Sequence, residues 1–503
     1  MVVRTYSATM MGLKPIKVEV EVDAQQGIPK LVLIGLPTKA VDEAKERISS
    51  ALVNCGIKIR SKRTIVNLAP ADVKKTSSIL ELAIAVALLK NYEEIDIDTS
   101  KMIFFGELSL DGQLKAIKGA LPLVLAARKM GFKKVILPYA NKDEVSIIAD
   151  IDIHPVTHLR ELICCFKNQQ CLTKLKVQRF DDDEINYEID FADINGQYTA
   201  KRALEIAAAG GHNLLMVGPP GAGKTMLAQA LVSILQPLSK KETIAVNKIY
   251  SICGLTQNGL IKQRPFRCPH HSCSQIGLIG GGASLRPGEI SLAHKGVLFL
   301  DEFPEFPRHA IEALRQPMQE GKITIIRSAG IVTYPASFSL VAAANPCPCG
   351  YKGSQKRVCK CSLHAIELYQ KKLSGPILDR IDLFIRVPEL EVEEIIRKKK
   401  DNPTSADIRA RVMKARKQQL KKFGVDNFVL NAEFNNHAVK QVCILDKTAK
   451  KLLYKATDKL KLSARAYFKV IKVAQTIADL AEAEVIETDH VAEALMYRKH
   501  DNL

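Results

Sequence analysis

Short apolar runs alternate with helically spaced ones from residue 17 to about 165. Leu31-Val-Leu-Ile34 and Val135-Ile-Leu137 are continuous apolar stretches of strand length, whereas Asp42 to Asn54, Leu80 to Leu89 and Leu121 to Met130 repeat their apolar positions at three and four residues. The alternation predicts an α/β region. Lys167 to Glu188 shows neither period and contains Asp181-Asp-Asp-Glu184, which predicts a linker over 171–189 between a first domain (1–170) and a second α/β unit (190–388). Beyond it, Arg397-Lys-Lys-Lys400 opens a charged region (389–503) that closes in helical patterns at 463–482 and 488–499. The most apolar stretch, Leu80 to Leu89, contains Glu81. It is shorter than the roughly 20 residues a membrane-spanning helix needs.

Composition changes this picture in three ways. The chain has 503 residues, and at roughly 150 residues per domain that agrees with three domains. Lys plus Arg number 73 against 54 Asp plus Glu, a formal charge of +19, which favours a polyanionic partner. Hydrophobic residues at 47% exclude a largely disordered chain. Residues Met1 to Pro15 lack an apolar signal core, so a cytoplasmic location without membrane contact is expected. Of 12 cysteines, four fall between Cys347 and Cys361, a distribution suited to thiols or metal ligands rather than a disulfide framework.

The sharpest motif is Gly218, Pro219, Pro220, Gly221, Ala222, Gly223, Lys224 and Thr225, between the apolar run Leu214-Leu-Met-Val217 and the helical run Met226 to Leu235. Strand, glycine-rich loop and helix together predict a phosphate-binding loop. Backbone amides would surround the phosphates, Lys224 would reach the β and γ oxygens, and the Thr225 hydroxyl would bind Mg²⁺. Gly296-Val-Leu-Phe-Leu-Asp-Glu302 predicts a buried strand ending in two carboxylates. Asp301 would hold Mg²⁺, directly or through water, and Glu302 would polarise the attacking water. ATP with Mg²⁺ is the expected ligand pair.

Five further segments carry a family resemblance: Pro265-Phe-Arg-Cys-Pro-His-His-Ser272, Gly288-Glu-Ile-Ser-Leu-Ala-His294, Leu314-Arg-Gln-Pro-Met-Gln-Glu-Gly321, Ala343-Ala-Asn-Pro-Cys-Pro-Cys-Gly350 and Leu373-Ser-Gly-Pro-Ile-Leu-Asp-Arg-Ile-Asp382. With the nucleotide motif they resemble, over nearly the whole chain, the ComM (YifB) family of magnesium-chelatase-like AAA+ ATPases. The resemblance implies a hexameric ring ATPase on single-stranded and branched DNA, acting in branch migration during recombination of incoming DNA in natural transformation. It implies that Asn345 is the sensor positioning the hydrolytic water, that Arg380 is an arginine finger reaching the neighbouring subunit's nucleotide, and that Arg465 is the second sensor. Gly280 to Gly288 resembles the family's insertion in the second helix. Ile323-Thr-Ile-Ile326 and Ile331-Val-Thr-Tyr334 read as a β-hairpin. Both elements face the pore in related rings, which makes Arg286 and Arg327 candidate phosphate contacts.

Gly106 to Gly112, Ala126 to Gly131 and Asp152 to Val156 look like the proteolytic domain of Lon. The expected architecture is therefore α/β: a P-loop AAA+ core preceded by a Lon-like (ribosomal S5 domain 2-like) α+β domain and followed by a helical AAA+ lid. Peptidase chemistry needs a Ser activated by a Lys. Where Lon places them, this chain has Ser77 or Ser78 without the surrounding glycines, and Leu121 and Pro122, with Lys118 out of register. No peptidase activity is expected. Cys347, Cys349, Cys359 and Cys361 could hold a tetrahedral Zn²⁺ or stay as reduced thiols. Cys268, His270, His271 and Cys273 are too crowded for one coordination geometry and read as structural. A DNA motor is the leading reading, and a chelatase-type ATPase remodelling a protein client is the alternative.

Overall fold

The computed structural model describes residues 2–498 apart from 36–39, 60–61, 72–74, 76–77, 169–171, 179–186, 257–258, 283–284, 329, 373–376, 392–401 and 424–428. Ser77, the acidic run 181–184 and the basic run 397–400 lie outside the described residues.

In the first domain Val3–Met11, Lys14–Gln25, Arg63–Ala69 and Lys30–Ile34 form one sheet in that spatial order, antiparallel except for the last pair. Met102–Phe104, Lys134–Pro138 and Asp152–Val156 form a second, parallel sheet. The helix Glu81–Asn91 buries every residue from Glu81 to Leu89, so its missing polar face means enclosure on all sides rather than a membrane span. Glu81 is tolerated because Arg47 Nη2 lies 2.6 Å from it and the Leu108 amide donates to it at 2.8 Å. Among the described residues no helix is long and apolar enough to cross a membrane. Within the expected linker, 172–178 and 187–189 are described. Leu175 and Gln178 donate backbone hydrogen bonds to Ile153 and Ser146 of the first domain, so its first half is bound to that domain's surface.

The second unit is built on a five-stranded sheet in the order Phe266–Arg267, Val297–Leu300, Ser339–Ala344, Leu214–Val217, Leu383–Arg386, parallel throughout. Parallel sheets are covered on both faces, which is why the predicted strands read as continuous apolar runs. Leu214, Met216, Phe299, Val341 and Ala343 point into one core, and Leu215, Val217, Leu298, Leu340 and Ala342 into another. The first core also takes residues from the C-terminal helices, among them Val412 from Ser405–Phe423 and Val470, Ala474 and Ile477 from Ala464–Leu480. The helical region is thus packed directly onto the nucleotide-loop side of the sheet.

The expected hairpin is Lys322–Arg327 against Gly330–Pro335, with Arg327 opposite Gly330. A shorter one pairs Gly280–Gly281 with Arg286–Pro287. They adjoin: a Cβ on Gly281 would lie 3.8 Å from Arg327 Nε, and Arg286 and Arg327 are both exposed. The first domain rests on the longer hairpin at Gly12, where an added Cβ would lie 2.1 Å from Val332. Lys118 faces Gly254 of the second unit.

Candidate nucleotide-binding site

The loop 218–223 leaves the carboxyl end of its strand and runs into the helix Lys224–Ile234. Gly221 and Gly223 have φ of 79° and 83°, and a Cβ on either would meet no heavy atom within 4 Å. Glycine is needed there for the left-handed backbone, and the space over the loop is open. The resulting cavity, about 420 Å³, is lined by residues 220–226 with Asp301, Glu302 and Asn345. A glycine-rich turn at a helix N-terminus with room above it fits phosphate.

The residues singled out from the sequence converge there. Lys224 is buried, and its ammonium donates to the carbonyls of Gly218 at 2.7 Å and Pro219 at 2.9 Å and to Asn345 Oδ1 at 3.2 Å. Burial lowers its pKa below the ordinary lysine value, against the opposing pull of Asp301 and Glu302. The Thr225 hydroxyl donates to Asp301 Oδ2 at 2.9 Å. A hydroxyl and a carboxylate in contact beside a phosphate loop suit Mg²⁺. Glu302 follows at φ 50°, a conformation that non-glycine residues adopt sparingly and often at functional sites. The turn aims its carboxylate at His271, whose Nδ1 lies 3.1 Å away.

Cys268, His270, His271 and Cys273 are not among the described residues that gather as possible metal ligands, in line with a structural reading, and one of them touches the site. Cys268 and His270 are exposed, and His271 reaches the site. The quoted Pro-His-His-Ser segment was the signal, but no spacing rule joins it to Glu302. Gln197 was missed as well. Its amide donates to the carbonyls of Ala222 at 3.4 Å and Pro388 at 2.8 Å, tying the loop to the strand beside it.

Arg380 and Arg465 are brought together, but elsewhere. Both line a separate cleft of about 670 Å³, with Asp379, Gln319 and Lys469. Arg380 donates to Gln319 at 3.1 Å, and Arg465 lies 3.7 Å from Asp379. Asp382 is buried, 3.0 Å from Lys469 on the helix Ala464–Leu480 and 3.6 Å from His212. Its burial would raise the carboxyl pKa, but Lys469 and His212 overcome this and hold it well below the usual range. The parallel register pairs Val217 with Arg386 and Leu214 with Leu383, so Arg380 precedes the amino edge of the sheet. The phosphate loop leaves its carboxyl edge. Four residues of strand, about 13 Å, separate the two edges.

The sequence matches three family patterns: magnesium chelatase, subunit ChlI, over residues 190–395; subunit ChlI of Mg-chelatase over 20–141; and the ChlI C-terminal pattern over 402–498. It is 42% identical over 503 residues to competence protein ComM of Haemophilus influenzae, covering 98% of this chain and 96% of that protein. The chain belongs to the ComM/YifB family. Its members include YifB of Escherichia coli, 39% identical over 100% of this chain and 97% of that protein. Rv2897c of Mycobacterium tuberculosis is 38% identical over 99% of this chain and 98% of that protein. For a ComM/YifB member, the match over 190–395 spans the loop, the carboxylate pair, Asn345, the four clustered cysteines and Arg380, and that over 402–498 includes Arg465.

Proposed function

We propose that this chain is a Mg²⁺-dependent ATPase whose ring, a homohexamer, drives branch migration on DNA in recombination of incoming strands. The observation that carries the reading is the division of the site between the two edges of one sheet. The carboxyl edge holds loop, metal pair and water-polarising carboxylate, while the arginines sit on the amino edge. In a ring, one subunit's amino edge can face the next subunit's carboxyl edge. Arg380 then meets the transition-state charge on a neighbour's nucleotide. Within one subunit Lys224 binds the phosphates, Thr225 and Asp301 hold Mg²⁺, Asn345 and Glu302 orient and polarise the water, and His271 fixes the Glu302 carboxylate. Arg465 completes the arginine edge as second sensor.

DNA as the partner is supported by the +19 charge and by full-length similarity to a protein named for competence. The adjoining hairpins with Arg286 and Arg327 provide the contact to backbone phosphate. The first domain has a Lon-like fold without the Ser-Lys dyad and serves as a docking platform against the hairpin, and the protein works in the cytoplasm. The deciding experiment is ATP-dependent strand displacement from a synthetic four-way junction, with Glu302→Gln as control. Displacement by the native protein alone is expected, with the variant binding ATP but turning over at least about 100-fold more slowly. ATP turnover that no DNA stimulates and no junction disassembly would transfer the assignment to a protein client, the reading suggested by the chelatase family match.

A further inference from the structure

Directly after the Asn345 strand, one sulfur each from Cys347, Cys349, Cys359 and Cys361 lies within 4.8 Å of the other three. Cys347 and Cys349 stand 3.4 Å apart, Cys347 and Cys359 3.6 Å, and Cys349 and Cys359 3.5 Å. Four thiolates at about 2.3 Å from a tetrahedral Zn²⁺ stand about 3.8 Å from one another, whereas a disulfide needs about 2.05 Å. The spacing is that of ligands, not of a crosslink. Two backbone amides already point at the sulfurs, Cys349 to Cys361 at 3.4 Å and Lys352 to Cys347 at 3.3 Å. Such N–H donors stabilise thiolate charge around a metal.

The segment joining the two cysteine pairs has no helix or strand, yet it borders the nucleotide loop. Tyr351, Lys356 and Arg357 form one wall of a cavity of about 580 Å³, and residues 220–223 form another. The two walls touch: a Cβ on Gly350 would lie 2.6 Å from Pro220 Cδ. Arg357 donates to the Tyr351 hydroxyl at 2.9 Å and lies over its ring, 5.2 Å from the centroid. The far end is tied down by Lys356 donating to the Leu390 carbonyl at 2.7 Å and Ser354 donating to Glu389 at 3.0 Å. Ordering each residue of an irregular loop costs about 1–2 kcal/mol. These few contacts do not offset nine residues of it, but a metal crosslink at the loop's root can.

We infer that Cys347, Cys349, Cys359 and Cys361 bind a structural Zn²⁺ that holds the Tyr351–Arg357 wall over the nucleotide cavity, so that zinc occupancy sets the affinity for the base of ATP. The inference rests on the reading of that cavity as an ATP site. The phosphates belong to residues 218–225 and the base to the zinc-held wall, so the two halves of the ligand report separately.

The test compares native protein, Cys359→Ser and Tyr351→Ala, with metal content by plasma mass spectrometry and binding of ATP and of inorganic tripolyphosphate by calorimetry. About one zinc per chain is expected in the native and Tyr351→Ala proteins, and a clear loss in Cys359→Ser. Both variants should bind ATP about tenfold more weakly while tripolyphosphate affinity changes less than about twofold, which also shows that the core remains folded. Absence of zinc, iron in its place, or zinc loss with unchanged ATP affinity overturns the inference. Native protein that holds zinc but binds no ATP overturns the ATP reading and the coupling with it, and leaves the metal site standing.

Discussion

The two edges of the central sheet carry different sets of side chains. At the carboxyl edge the groups answer one another within the subunit: Lys224 reaches Asn345, Thr225 reaches Asp301, and Glu302 reaches His271. At the amino edge Arg380 and Arg465 share a cleft with carboxylates and two lysines, Lys469 and Lys472, and none of the phosphate-loop residues lines it. An edge with its own internal partners is organised before ligand arrives. The amino edge has partners of its own, Arg380 with Gln319, Arg465 with Asp379 and Lys469 with Asp382, in a cleft set apart from the loop. The difference is one of place: the phosphate-loop groups and the arginine cleft lie at opposite edges, about 13 Å of strand apart.

The largest effect expected is at the carboxyl edge. Lys224→Ala should abolish nucleotide binding and turnover together, because one residue contacts both the loop carbonyls and the Asn345 side chain; retained ATP binding by calorimetry would break the assignment of this edge. Arg380→Ala should bind ATP normally and lose about 10³-fold in turnover. Mixing Arg380→Ala with Lys224→Ala sharpens the comparison further. Some turnover should return where an intact arginine edge faces an intact loop, and none should return if each arginine serves its own subunit. His271→Ala should lower turnover about tenfold with little change in ATP affinity, since it orients Glu302 rather than the phosphates; a matching loss of affinity would show that it contacts the ligand.

A pH effect is expected at the amino edge. His294 precedes the Val297–Leu300 strand, and its Nδ1 accepts from the Ser337 amide at 3.1 Å. Burial, chiefly, pushes its pKa down to about 4. The folded value lies below the unfolded one of about 6.5, so its stabilisation is complete above about pH 6.5 and is lost as pH falls toward 4. The loss amounts to about 3 kcal/mol. Denaturant melts from pH 7.5 to 4.5 should show this slope, and His294→Gln should flatten it.

Much of the carboxyl edge was legible because its requirements are local. A glycine pair at positive φ, a lysine and a hydroxyl at the start of a helix, and an apolar strand ending in two acids all lie within single stretches of chain. The cysteines were legible as a cluster, but only folding of the Gly350–Val358 segment set their sulfurs at ligand distances. The contact of His271 was not legible because its partner is 31 positions away (302 − 271 = 31) and the link depends on the left-handed turn at Glu302. Tyr351 and Arg357 were passed over for the same reason: a cavity wall has no sequence period. The attachment of Leu175 and Gln178 within 171–189 was not legible, since backbone hydrogen bonds to Ile153 and Ser146 leave no compositional trace.

The sequence by itself determined the elements, the α/β class, the phosphate loop and the carboxylate pair, because hydrophobic period and backbone stereochemistry act over a few residues. Only the tertiary structure decided which edge each group occupies, that Asp382 anchors the helix Ala464–Leu480 through Lys469 while Arg380 lines the neighbouring cleft, and that the cysteine loop walls a cavity beside the phosphate loop. Those outcomes follow from parallel strand register and from packing between segments far apart in the chain, and neither leaves a periodic mark on the residues it joins.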